Sequence, residues 1–292
     1  MEHAVRRPAV AGRFYPGEAA VLRKQAAACL AAAESHPSPC GGKALLALMV
    51  PHAGYVFSGA VAGAVLGQAA LTDSLLLLGP NHTGRGAPLA VWPDGAWQTP
   101  LGSVPVDAEL AGELVAAGVG FAADTAAHMQ EHSLEVLLPF LQLLRPAARI
   151  TAIAIRNCGL DTLRRAGCAL AGIMRRRAAE NRRVVLIVSS DMSHYIPHAA
   201  ASRLDDLALA HVRSVDPEGL YATVRGGNIS MCGVLPMCMA LFACREMGAQ
   251  TGNIVAYATS GQTGRAFGAS MDKVVGYAGA MIPAVEDIQA ER

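Results

Sequence analysis

No apolar run in this chain reaches the ~18–20 residues that span a bilayer, and the opening stretch MEHAVRRPAVAGRFYP lacks the apolar centre of a secretory signal. The seven cysteines, at 29, 40, 158, 168, 232, 238 and 244, include no CxxC pair. An odd count without a framework fits a reduced, cytoplasmic protein. Charge is scarce as well, 16% of residues with a net of +1, which leaves no field to draw in nucleic acid or an anionic membrane. Aromatic residues are 5%, so Ala, Leu, Val and Gly must fill the core that a 52% hydrophobic composition supplies. GxGxxG after a strand, a Walker loop, GxSxG and HExxH are all missing. Their absence argues against nucleotide-binding, serine-hydrolase and zincin chemistry. Gly261-Gln262-Thr263-Gly264 could cradle an anion, but alone it is a weak signal. There is no fixed-period repeat and no low-complexity linker.

What the chain does have is one design used three times. Leu45 to Val50 is a continuous apolar run that ends in Pro51-His52. Leu75 to Leu78 is another, followed by Gly79-Pro80 and His82. Val184 to Val188 is the third, followed by Ser189, Ser190, Asp191 and His194. Runs without polar alternation fit strands covered on both faces, as in a parallel sheet. Ligands bind outside the carboxyl ends of such strands. If the three strands are parallel neighbours, the three imidazoles converge on one mouth.

Around these runs the pattern alternates between strand and helix. Glu18 to Glu34, Gly59 to Leu66, Asp107 to about Ala117 and Leu160 to Glu180 read as helices. In the third of these, Asp107 is the cap. Arg175-Arg176-Arg177 near the end of the fourth suits the helix dipole. Ala126 to Glu135 leads into a helix with Leu134, Leu137, Leu138 and Leu141 inward. Leu204 to Val212, Pro217 to Val224 and a long apolar stretch from Met231 to about Met247 complete the helices. Ile150 to Ile155, Asn253 to Thr259 and Val274 to Ile282 are further strands. Arg6 to Gly17 reads as loop or edge strand, Gly84 to Pro105 as short strands and turns, Gly261 to Ser270 as a mobile surface loop, and the acidic tail as solvated. The expectation is one α/β domain over residues 1–292, with a mostly parallel or mixed sheet flanked by helices.

Each candidate residue has a plainer alternative. His52 or His82 alone reads as a hydrogen-bonded loop histidine; two in matched positions favour a shared metal site. Cys232 precedes an apolar helix, whose N-terminus favours a thiolate ligand, but a free cysteine is more often a small buried hydrophobe. Asp191 can orient His194 as a general acid or base, or merely cap a turn with Ser189 and Ser190. Glu131 and Glu135, one helical turn apart, flank His132 and share a face. They can fix the tautomer of a metal-bound histidine, or simply begin a solvated helix. His128 adds an ionisable group nearby. His3, His36, His198 and His211 read as surface residues.

Six motifs occur in order between about residues 6 and 282. They are AGRFYP (from Ala11), PHAGYVFSG (from Pro51), LGPNH (from Leu78), EHSLEVLLPFL (from Glu131), SSDMSHY (from Ser189) and MCG (from Met231). By them the chain resembles the Memo family, also called AmmeMemoRadiSam system protein B. The resemblance implies a fold like that of class III extradiol dioxygenases, non-haem iron enzymes that open catechol rings. It matches His52 and His82 to two metal ligands and His194 to the acid/base histidine. Cys232 matches the cysteine that stands where the dioxygenases have a carboxylate ligand. The likeness to the dioxygenases implies iron (Fe2+) first; thiolate in place of carboxylate keeps the charge but softens the site, which brings in copper(I), zinc or a thiolate-ligated iron. The family name further implies a functional link to radical-SAM and AMMECR-type proteins. Two activities follow as expectations. One is a metal-dependent oxidoreductase acting on a small molecule. The other is a non-catalytic adaptor for a phosphopeptide or partner protein.

Overall fold

The structure is a computed structural model that describes residues 4–35 and 39–285. The N-terminal arm holds a short strand β1 (Val5–Arg6), followed by helix α1 (Ala19–Leu30), which tightens into a 3-10 turn. Next come β2 (Leu45–Val50), α2 (Tyr55–Leu66) and β3 (Ser74–Pro80). The Gly/Pro-dense stretch forms β4 (Leu89–Val91), β5 (Ala96–Thr99) and β6 (Gly102–Pro105). Asp107 accepts from the Leu110 N–H and so caps α3 (Ala108–Ala116), which leads to β7 (Phe121–Ala123). Then follow α4 (Leu138–Leu144), β8 (Arg149–Ile155), α5 (Leu160–Ala179), β9 (Val184–Ser189) and β10 (His194–Ile196). The last third holds α6 (His198–Arg213), α7 (Pro217–Gly226), α8 (Val234–Glu246), β11 (Asn253–Thr259), α9 (Ser260–Thr263) and β12 (Val274–Pro283).

The main sheet is mixed, in the order β10-β12-β2-β9-β3-β8-β4-β7 with β11 on β12. Its centre, β2, β9, β3 and β8, is parallel. β12 runs antiparallel to β2, and β4 antiparallel to β8. Side chains alternate between two cores. Leu76, Leu78, Leu186 and Val188 pack with Leu170 of α5 and Met239 and Phe242 of α8. Leu75, Leu77, Val185 and Ile187 pack with Leu22 of α1, Val65 and Leu66 of α2 and Phe140 of α4. Both faces are covered, which is why these strands carry no polar alternation.

Register then positions the site. Val50 pairs with Ser189, and Val188 pairs with both Met49 and Leu78. β2, β9 and β3 therefore end level, and His52, Asp191 and His82 leave from one edge of the sheet.

Several expectations need correction. Residues 261–270 do not form an open loop: Thr259 and Gln262 make a capping box that starts α9, and a 3-10 turn covers Arg265–Phe267. Residues 126–130 are turns and 131–132 irregular rather than the start of a helix, and helical geometry begins only at Glu135. Arg176 and Arg177 do fall in the last turn of α5, and Arg177 has a further role: it is 1% exposed and pairs with Asp107 and Glu113. His198 and His211 are half-buried, with His198 Nδ1 3.0 Å from the Thr259 hydroxyl and His211 Nδ1 3.0 Å from Asp216. His3, His36 and most of the acidic tail lie outside the described residues.

Candidate metal centre

Pro51 ends β2, and the next residue, His52, is buried against β9. Its backbone N–H donates to Asp191 Oδ1 at 2.8 Å, and its Nδ1 lies 2.7 Å from Ser189 Oγ. The Ser189 hydroxyl spends its proton on the Ser133 carbonyl at 2.6 Å. Ser189 therefore accepts from His52 Nδ1–H, which leaves the Nε2 lone pair free.

His82 is fixed in the same sense by a different group. Its Nδ1 is 2.9 Å from Glu131 Oε1. The same carboxylate accepts the backbone N–H groups of His82, His132 and Ser133. This loop can lie over the end of β3 because residue 79 is glycine. A Cβ there would stand 2.6 Å from Leu134 Cδ2 and 2.8 Å from Ser133 Oγ.

The imidazoles meet. Ring centroids are 5.4 Å apart for His52–His82, 5.4 Å for His52–His132 and 4.8 Å for the stacked pair His82–His132. Ring nitrogens of the three lie within 4.8 Å of one another. Cys232 arrives from the turn before α8, its Sγ 3.5 Å from His52 Nε2 and accepting from the Asp191 N–H at 3.2 Å. A zinc ion held by imidazole at ~2.0 Å and thiolate at ~2.3 Å in tetrahedral geometry would set N and S about 3.5 Å apart. That spacing suits His52 and Cys232 as a pair of ligands, while the three donor atoms that lie together are those of His52, His82 and His132, with Cys232 outside that group. Gly233 has no room for a Cβ against Ser190, and that close approach seats Cys232 beside Asp191. His194, at the start of β10, places its Nδ1 2.9 Å from the Ser230 carbonyl and so keeps Nε2 free.

Burial, reinforced by the neighbouring imidazoles, holds His52 well below its ordinary value. Burial also lowers His132 and His194. Burial thus favours the neutral form of these three rings, the state a metal requires. Burial alone would raise Glu131, but His82 and the Ser133 N–H outweigh it and hold the carboxyl at about 2. Asp191 has no such counterweight: burial lifts it to about 7 despite the His52 and Ala53 N–H groups. Burial and then the nearby Asp191 push the Cys232 thiol up, so a metal would have to displace its proton.

The structure thus brings His52, His82, Cys232, His194, Asp191, Glu131 and His132 to one mouth, with three departures from expectation. The carboxylate of Asp191 serves the His52 backbone, while Ser230 holds the His194 ring. His132 is a member of the cluster rather than a partner behind it. Glu135 turns away from the histidines to Arg6 and Tyr15. His128 is buried between Trp92 and Trp97, its Nε2 3.0 Å from the Ala90 carbonyl. Ser189, Ser133 and Ser230 were not foreseen as orienting groups; Ser189 had the signal of polarity at a strand end before a histidine, Ser133 only that of following His132, and Ser230, in the loop before α8, had none.

Fold and site together define an α/β protein with a candidate metal centre at the carboxyl edge of its parallel strands. The chain belongs to the Memo-like protein family, whose model matches residues 6–281. A MEMO1 family protein of Methanopyrus kandleri is 38% identical over 284 residues, covering 94% of this chain and 97% of the relative. Another, of Ignicoccus hospitalis, is 39% identical over 296 residues, covering 96% and 99%. The crystal structure of an uncharacterized Escherichia coli K12 protein superposes with a TM-score of 0.52 over 81% of this chain and 99% of that one. At 13% identity that likeness is one of fold alone. No described helix is long and apolar enough to cross a membrane.

Proposed function

We propose that the protein is a metal-dependent redox enzyme acting on a small molecule, with His52, His82 and Cys232 as ligands and His132 beside them. The observation that carries this reading is tautomer control. Ser189 accepts a hydrogen bond from His52 Nδ1–H and Glu131 one from His82 Nδ1–H, which leaves both Nε2 lone pairs for one ion. Iron (Fe2+), or copper in its place, would supply electron-transfer chemistry toward dioxygen and substrate; zinc would supply Lewis acidity only. The protein's own groups do the rest. Burial favours the neutral form of His52, His132 and His194 in the metal-free protein. His194, neutral and anchored through Nδ1, takes or returns a proton at Nε2. Asp191 holds the backbone of His52 in place. A shared pathway with a radical-SAM and an AMMECR-type protein belongs to the same proposal.

The test is metal analysis of anaerobically purified protein, wild type beside Cys232→Ser. Near-stoichiometric iron or copper, lost in the variant, supports the reading. Dioxygen uptake is then measured with a panel of catechols. His194→Ala is expected to keep its metal and lose turnover. No metal in either protein after reconstitution with Fe(II), Cu(I) and Zn(II) overturns the reading and leaves the non-catalytic adaptor.

A further inference from the structure

We propose that Arg6 is a positioning residue for the metal centre, setting the 128–135 loop and through it the Glu131 carboxylate that orients His82. The inference rests on the metal-centre reading above. Arg6 belongs to the N-terminal arm, more than 120 residues from this loop in sequence, yet it is fully buried. Its guanidinium lies 4.2 Å over the Trp97 ring. All three nitrogens are spent on the loop. Nε donates to the His128 carbonyl at 2.8 Å, Nη1 to Glu135 Oε2 at 2.7 Å and Nη2 to the Glu131 carbonyl. Two backbone carbonyls and one carboxylate therefore converge on a single planar fork, a geometry that lysine cannot reproduce.

The Glu131 carbonyl sits where a helix would commit it to its own N–H groups, and Arg6 takes it instead. The His128 carbonyl accepts both Arg6 Nε and the Glu131 N–H, which closes a single turn there, so the fork holds residues 128–133 as a loop. That conformation lets the Glu131 carboxylate reach back to His82. The rest of the arm reinforces the clamp. Glu135 accepts the Ala9 and Val10 N–H groups and the Tyr15 hydroxyl, and the Phe14 ring lies 4.7 Å from that of His132. The sequence spacing of Glu131 and Glu135 placed both beside the histidines. The arm divides them, one carboxylate for the metal loop and one for its anchor.

The experiment compares wild type, Arg6→Lys and the double variant Arg6→Met/Glu135→Gln. The double variant removes both members of a buried charge pair, which avoids leaving one charge stranded. Three quantities are read: Tm, Co(II) affinity with its visible spectrum, and the His82 tautomer by 15N-histidine NMR of the metal-free protein. Expected in the double variant are a Tm within about 4 °C of wild type, Co(II) affinity down about 10–100-fold, a shifted Co(II) spectrum and loss of the single Nδ1–H form of His82. Arg6→Lys keeps the charge beside Glu135 and is expected to lose affinity several-fold without unfolding. Wild-type affinity, spectrum and tautomer in either folded variant overturn the proposal. So does an affinity loss that follows Tm alone. If wild type binds no Co(II), the metal reading fails, and the tautomer readout decides the role of Arg6 by itself.

Discussion

Replacing Glu131 with glutamine takes a negative charge away from four N–H groups: the ring and backbone of His82 and the backbones of His132 and Ser133. The carboxylate is 1% exposed, so water screens little of the effect. Its folded value is about 2 against an ordinary 4.5, a gap worth about 3 kcal/mol. The sign follows from the direction. A carboxyl depressed in the folded state stabilises fully above its unfolded value and loses that contribution as pH falls toward the folded one. About 2 of the 3 kcal/mol are therefore gone by pH 3. Glutamine can still accept through one oxygen but carries no titrating charge. Equilibrium urea unfolding of metal-free wild type and Glu131→Gln, at pH 7 and pH 3, isolates this group. The expected gap is about 3 kcal/mol at pH 7, shrinking to about 1 kcal/mol at pH 3. An equal gap at both pH values refutes the assignment of Glu131 as the charged acceptor behind His82.

Ser189→Ala removes the acceptor of the His52 ring N–H and strands the Ser133 carbonyl. Its expected cost is about 1–3 kcal/mol in urea unfolding, with metal affinity by titration down about 10–100-fold; unchanged affinity would mean that Ser189 does not set the tautomer. Gly79→Ala drives a methyl into Leu134 and Ser133. Overpacking of this kind costs about 1–3 kcal/mol, and hydrogen exchange should rise in residues 131–134 while the β8 strand stays protected.

Some of this protein was legible before any tertiary contact was known. The apolar runs Leu45–Val50, Leu75–Leu78 and Val184–Val188 declared themselves, within strands that extend to Val50, Pro80 and Ser189, because burial on both faces erases polar alternation. The histidines beyond the first two marked the ligand edge, since a strand's carboxyl end is where parallel sheets bind. The capping box of α9 was also written locally, in Thr259 and Gln262, beneath a glycine-rich composition that suggested a loop.

Other features had no local signature. Cys232 lies 180 residues from His52, and spacing alone did not distinguish it from a buried hydrophobe; the family resemblance raised it, and the packing of Gly233 on Ser190 brings it there. Which of Ser189 and Asp191 serves the His52 ring and which its backbone depends on the register of β2 against β9. Glu131 and Glu135 had the spacing of one helical face, and only the N-terminal arm separates them, through Arg6. The physical reason is common to these cases. Burial pattern and capping act over a few residues, so the chain states them locally. A hydrogen-bond partner is chosen by whichever donor the fold delivers, and that donor came here from strands and arms more than a hundred residues away.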